Sequence, residues 1–232
     1  MPRVPPALRP FSALRAFRRR LHNPDLAALG RMVAGGSDLA VLQPWTTSSE
    51  ERYPALFDAV AGAFADRPDP RILSFGCAGG EEVRAHRRRL PDATIVGVDV
   101  NPRALERARR RDRNPLSCYL IGDRPPPGAP FDAALALAVF RHGEIERHRP
   151  DTCTPILPFA AAAATFAPLD AAIAPGGYLG WGHAHFRLAD LPGGANYELV
   201  DTCGLEPSTC LYGSDGFRVE GTGPAGLFRK RA

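Results

Sequence analysis

What the chain lacks narrows its chemistry first. Lys230 is the only lysine among 29 basic residues, the rest being arginine. That bias reads as codon usage in a GC-rich genome before it reads as selection for guanidinium chemistry. No apolar run approaches the roughly 20 residues that a membrane-spanning helix requires. The five cysteines, Cys77, Cys118, Cys153, Cys203 and Cys210, are odd in number and contain no C-x-x-C pair. This argues against a disulfide framework and a zinc site, so no metal is expected, and it fits a reducing cytoplasm. No internal repeat is visible.

What is present describes a globular chain. It has 232 residues, 44% of them apolar, enough for one sizeable core with some extra segments. The net charge of +4 permits an anionic partner without demanding one. Residues 1–22 hold six arginines and no acid, and Phe11, Leu14, Phe17 and Leu21 fall on one helical face. That stretch reads either as a basic amphipathic arm making weak contact with a membrane or an acidic partner, or as a solvated terminus. Its lack of acids also fits a transit peptide. We expect a helical N-terminal extension, with arm and loop over 1–48 and one domain over 49–232.

From Ser48 onward the chain becomes periodic. Ser48 and Glu51 match a capping box, and Tyr53, Leu56, Phe57, Val60 and Phe64 predict a helix near 49–65. Strand and helix then alternate. Strands are expected at 72–75, 93–99, 117–121, 131–139 and 178–182, and helices at 81–90, from Asn101 to about Arg113, and at 159–173. A closing antiparallel pair is expected between 217–220 and 227–230. The alternation predicts an α/β fold with a doubly wound, mostly parallel sheet, whose ligand lies beyond the carboxyl ends of the strands.

The first two strand ends carry the chemistry. Gly76, Gly79 and Gly80 form a tight turn ahead of a helix whose free N–H groups suit a carboxylate. Asp99 ends the second strand and can accept from both hydroxyls of a ribose. Ala78 stands where a nicotinamide-binding turn has its second glycine, and no lysine follows as in a P-loop. A ligand with a carboxylate and no phosphate fits better, and S-adenosylmethionine (SAM) is one. Its amino group needs an acceptor, for which Glu81 is placed; as a first-turn acid, Glu81 also suits the helix dipole.

The runs Ile72-Leu-Ser-Phe-Gly-Cys-Ala-Gly-Gly-Glu-Glu82, Val96-Gly-Val-Asp-Val-Asn101, Phe131-Asp132 and Ala174-Pro-Gly-Gly-Tyr-Leu-Gly-Trp-Gly-His183 together resemble class I SAM-dependent methyltransferases, which have a Rossmann-like fold. More narrowly, they resemble the chemotaxis-receptor carboxyl methyltransferases. The resemblance covers about residues 70–185. It implies that Gly76, Cys77, Ala78 and Gly80 lie against the methionine part, and that Asp99 holds the ribose. Val100 and Asn101 would lie near the adenosine, Asp123 would accept from the adenine amino group, and Leu137 and Ala138 would pass close to the cofactor. Ser74 stands where many methyltransferases have an acid, as in the chemotaxis branch. The receptor-docking insert of that branch has little room here, so the resemblance extends to the cofactor and not to a receptor substrate.

Leu137-Ala-Val-Phe140 after the fourth strand lacks the motifs of DNA amino- and cytosine-methylating enzymes. The arginine clusters lie on helices where they face water. Both points argue against nucleic acid and leave a small-molecule acceptor. Histidine titrates near neutrality, so His183, His185 and, on the neighbouring strand end, His142 are candidate bases. Two alternatives stay open: a non-catalytic partner subunit on this fold, and an aminopropyltransferase-like enzyme. Against the second, Phe140-Arg-His142 has the wrong charge for a polyamine.

Overall fold

A computed structural model describes residues 23–232. The arm of residues 1–22 lies outside the described residues. Helix α1 (Pro24–Ala34) begins at Asn23, whose side chain accepts from the N–H groups of Asp25 and Leu26, with proline at its first position. It packs down rather than standing off as an arm, for Ala28 and Leu29 are buried.

Helix α2 (Pro54–Ala63) starts later than the capping-box pattern suggests. Glu51 does not reach back to cap it; its carboxylate pairs with Arg88 and Arg89 instead. The alternation follows: β1 (Arg71–Phe75), α3 (Glu81–Arg89), β2 (Thr94–Asp99), α4 (Pro102–Arg111), β3 (Ser117–Ile121), β4 (Phe131–Leu137), then α5 (Gly143–His148), α6 (Phe159–Ala172) and β5 (Ile173–Gly182). Helix α5 is an element that the sequence pattern does not suggest, being less than two turns long. The chain closes with β6 (Tyr197–Asp201), β7 (Leu211–Tyr212), β8 (Arg218–Val219) and β9 (Gly226–Lys230).

The main sheet has the order β3-β2-β1-β4-β5-β9-β6. Strands β1 to β5 are parallel, and β9 runs antiparallel between β5 and β6. The expected closing pair is therefore wrong in its partner. Strand β9 pairs with β6, while β8 pairs with β7 in a separate two-stranded ribbon. Strand β6 escapes a sequence reading because it lies at the sheet edge, with all its residues after Tyr197 exposed.

Side chains alternate between two cores, as in a sheet covered on both faces. Ile72, Ile95 and Leu135 pack with Leu56, Phe57 and Leu105 on one side. Leu73, Val96 and Ala134 pack with Phe140, Phe166 and Trp181 on the other. Strand order reverses between β1 and β4, which fixes where a crevice opens.

Candidate active site

A cleft of about 1390 Å³, its open mouth included, lies at that reversal. Its floor is the carboxyl ends of four strands: Phe75–Ala78 after β1, Val98–Asn101 after β2, Gly122 and Asp123 after β3, and Leu137–Val139 after β4.

The β1 turn is shaped by backbone. Gly76 has φ 77°, and a Cβ there would lie 2.5 Å from Val139 Cγ2. Only glycine supplies both the dihedral and the clearance. The N–H groups of Gly76 and Cys77 donate to Val98 O, and the N–H of Ala78 donates to Asp99 Oδ2 at 2.8 Å. Asp99 Oδ1 accepts from the N–H of Asn101, also at 2.8 Å. The carboxylate is thus oriented through both oxygens at the cleft wall, each with a lone pair to spare. Burial raises its pKa, against these two hydrogen bonds.

Of the expected cofactor-binding residues, Gly76, Cys77, Ala78, Asp99, Val100, Asn101, Asp123, Leu137 and Ala138 all line this cleft. Gly80 and Glu81 do not. Gly80 is the left-handed N-cap of α3 and packs against the Tyr119 ring, where a Cβ would lie 2.8 Å from its nearest atoms. Glu81 turns away towards Arg84 and Arg111, each 3.7 Å off. Its neighbour Glu82 faces the cleft instead. Ser74 donates to Glu82 Oε1 at 2.6 Å, and burial pushes the Glu82 carboxyl up to about 7. The signal was in the sequence: Ser74 replaces an acid, and the adjacent helix offers two.

A second group was missed altogether. Residues 40–49 run across the cleft and contribute Trp45; Tyr53, the N-cap of α2, and Phe57 within that helix add to it. Asp25 anchors this cover. It takes both terminal nitrogens of Arg107 and the Thr46 hydroxyl, and its backbone oxygen accepts from Asn101 Nδ2 at 3.0 Å. Burial would raise the Asp25 pKa, but these partners outweigh it and hold the carboxyl below its usual value. Asp123 also serves the cover, accepting from the Ala40 N–H at 2.9 Å. Tyr53 Oη is buried without a hydrogen-bond partner among the described residues. Arg52 lies over its ring, 5.2 Å from the centroid, and Arg141 also lines the cleft; among the described residues Arg141 has one ion-pair contact, 3.5 Å to Glu146.

None of the three candidate histidines lines the cleft. His183, at φ 51°, sits behind Tyr53 with ring centroids 5.5 Å apart. His142 caps α5, its Nδ1 accepting from the N–H of Glu144. His185 is buried with Nδ1 2.9 Å from Cys210 O and Nε2 3.2 Å from His142 O. The backbone of 183–186 does not continue as a strand, so the expected alternation towards the site is lost. Burial lowers the pKa of all three.

Residues 72–152 match the family model described as a methyltransferase domain. No curated protein matches the chain. Among solved structures, an amino pentose methyltransferase from Micromonospora echinaspora involved in calicheamicin biosynthesis is 24% identical, over 57% of this chain and 50% of that one, with a TM-score of 0.40. A SAM-dependent methyltransferase from Mesorhizobium loti is 22% identical, over 54% and 51%, with a TM-score of 0.38. The N-methyltransferase NodS from Bradyrhizobium japonicum WM9 is 18% identical, over 78% and 96%, with a TM-score of 0.47. The chain spans about half the length of the first two. The sheet order and the matched domain identify the fold as the Rossmann-like class I methyltransferase fold.

Proposed function

We propose that this chain is a methyltransferase that uses SAM and acts on a small-molecule acceptor. The observation that carries this reading is Asp99, a buried carboxylate at the end of β2 whose two oxygens are oriented by backbone N–H groups towards an open cleft. Such a carboxylate suits a ribose diol. Two further features fit the cofactor. Gly76, with φ 77° and its Cα against Val139, brings bare backbone to the cleft floor, and Glu82 is an acid whose one hydrogen-bonding partner among the described residues is a hydroxyl. An ammonium group would satisfy Glu82, and no phosphate is called for.

When bound, SAM supplies an electrophilic methyl group on a sulfonium. The chain's residues bind and orient. Gly76, Cys77 and Ala78 lie against the methionine part, Glu82 takes its ammonium, and Asp99 takes the ribose hydroxyls. Val100 and Asn101 border the adenosine, and Leu137 and Ala138 form the opposite wall. The acceptor fits between Tyr53, Trp45 and Arg141, and the Arg141 charge disfavours a polyamine there. With the histidines held outside the cleft, alignment of acceptor, methyl and sulfur supplies the acceleration, as it can for an in-line displacement.

The test is calorimetry of the full chain with SAM and its demethylated product. Binding in the micromolar range is expected, with a ligand-dependent rise in Tm. Absence of binding to either ligand overturns the reading.

A further inference from the structure

Among the groups that line the cleft, Arg141 carries a charge the protein leaves unused. It lies between β4 and α5, and its side chain is only 25% exposed. Among the described residues it donates no hydrogen bond and makes one ion-pair contact, 3.5 Å to Glu146. Glu146 also faces Arg149 at 3.9 Å, so its charge is divided between two guanidinium groups. Arginines as enclosed elsewhere are fully committed. Arg84 donates to Glu50 and to Gly79 O, and Arg89 donates to Glu51 and Asp58. A guanidinium holds five N–H donors in a planar fork and stays charged at any ordinary pH. Enclosing one with its donors idle is unfavourable unless a partner arrives from the cleft.

The neighbours of Arg141 narrow that partner. Burial raises the Tyr53 pKa, and Arg52 and Arg141 both oppose the rise, so the two guanidinium groups bear on the buried Tyr53 hydroxyl. Burial lowers the His183 pKa, and Arg141 and Arg52 add to the effect, so this ring is neutral at pH 7 and brings no further charge. Arg52 also bears on Glu82, which groups it with the acid on the methionine side. Arg141 is then one positive charge facing a cavity, with the Tyr53 hydroxyl as a second idle donor. Trp45 closes the wall. Its indole lies against Gly143, where a Cβ would come within 2.9 Å of Nε1.

We propose that the acceptor is a small carboxylic acid whose carboxylate is seated on Arg141, with the Tyr53 hydroxyl as a second donor. The proposal rests on the methyl-transfer reading, which makes this the acceptor's part of the cleft. A carboxylate matches the guanidinium fork with two parallel hydrogen bonds. It also balances the one charge that Arg141 offers, whereas a phosphate dianion brings a second negative charge with no cation assigned to it. Trp45 and Tyr53 supply flat apolar faces for the rest of the molecule. Arg141 is in this way a specificity-determining residue: it selects anionic acceptors over neutral and cationic ones of the same shape.

The probe is benzoate, titrated into the full chain beside its neutral isostere benzamide and beside phenyl phosphate, with the demethylated cofactor in excess. Ligand-observed NMR gives the dissociation constants. Benzoate should bind at least about tenfold more tightly than benzamide, the gain expected of charge-assisted hydrogen bonds, and more tightly than phenyl phosphate. Arg141→Gln should bring benzoate and benzamide within about twofold of each other. Arg141→Lys should keep part of the preference as a point charge, and Arg52→Gln should keep all of it. If Arg141→Gln does not fold, Tyr53→Phe replaces it and should cut the preference severalfold. Equal binding of benzoate and benzamide overturns the assignment, as does a preference that survives Arg141→Gln, one that vanishes in Arg52→Gln, or tighter binding of phenyl phosphate. The SAM calorimetry is read separately. If SAM binds and benzoate is not preferred, this proposal alone falls; if benzoate is preferred and SAM does not bind, the anion seat stands and the methyl-transfer reading falls.

Discussion

At the ends of β1 and β2, polar side chains are held in place with hydrogen-bonding capacity left over; beyond β5, they are consumed by the protein's own backbone. Asp99 keeps a lone pair on each oxygen and, among the described residues, Glu82 has one hydroxyl partner and Tyr53 Oη has none. On the far side, Tyr212 donates to Pro150 O at 2.8 Å, Arg187 Nη2 donates to Glu220 O at 2.7 Å, and the His185 ring lies between two carbonyls. Withdrawing a polar group from water without full partners costs free energy. The first region carries that cost next to a cleft, where a ligand can repay it. The second spends its polar groups on holding irregular backbone. Buried polarity alone therefore does not mark a site; unspent capacity facing a cavity does.

The largest effect should follow from spending that capacity. Asp99→Ala is expected to weaken SAM binding by about 10- to 150-fold, the value of one lost hydrogen bond to a charged group. The variant should also melt lower, since the Ala78 and Asn101 N–H groups lose their acceptor. Calorimetry showing wild-type affinity in Asp99→Ala would break the distinction between the two regions at its strongest point.

Glu82 sharpens the comparison through pH. Its carboxyl, raised to about 7 by burial, must ionise to pair with an ammonium. SAM affinity should thus be full above pH 7 and fall as pH drops through 7. Glu82→Gln should bind about tenfold more weakly at pH 8 and lose this dependence. Stability should move the other way. An acid raised from 4.5 to about 7 keeps an extra proton in the folded state across that window, so stability is lost as pH rises through it. At pH 8, Glu82→Gln should be more stable than wild type by on the order of 1 kcal/mol, after allowance for partial exposure. His86 acts oppositely: burial pushes it down to about 3, so its contribution fades as pH falls below 6.5. The difference between variant and wild type, measured by thermal melts, removes that shared background.

The sheet was legible because its strands are buried on both faces and read as apolar runs between turns, as in Thr94–Asp99. The cleft floor is legible because glycine and aspartate there answer to local dihedrals and strand ends. Glu81 was chosen over Glu82 because one residue on a helix turns a side chain by about 100°, and periodicity could not say which faced the cleft. The cover formed by residues within 23–48 reads as arm and loop in the sequence because it is held by Asp25 to Arg107, a contact 82 residues long. The partner of β9 leaves no sequence signal because β6 is an exposed edge whose anchor, Tyr197 to Asp170, is a hydrogen bond and not an apolar pattern. Long-range polar pairing leaves no periodic trace.

The smallest effects on cofactor binding are expected at the histidines, and they test the boundary between the regions. His142, His183 and His185 are each pulled below the ordinary histidine range by burial, so each is neutral at pH 7. None lines the cleft, and two have ring nitrogens committed to backbone groups. The three His→Gln variants should each bind SAM within about twofold of wild type. They should differ in stability: His185→Gln takes away the ring N–H that one buried carbonyl accepts from and should cost about 1–3 kcal/mol, and His142→Gln should cost less because its ring is half-exposed. His183 is the informative case. Its ring rests on Tyr53, which lines the cleft, so His183→Gln should act on the acceptor by raising KM with kcat nearly unchanged. Once an acceptor is in hand, a pH–rate profile decides the matter. An acidic limb that vanishes in His183→Gln, with a loss of about 10²-fold or more in kcat, would make this histidine a base. Catalytic chemistry would then reach past β5, and the division drawn between the two regions would fail there.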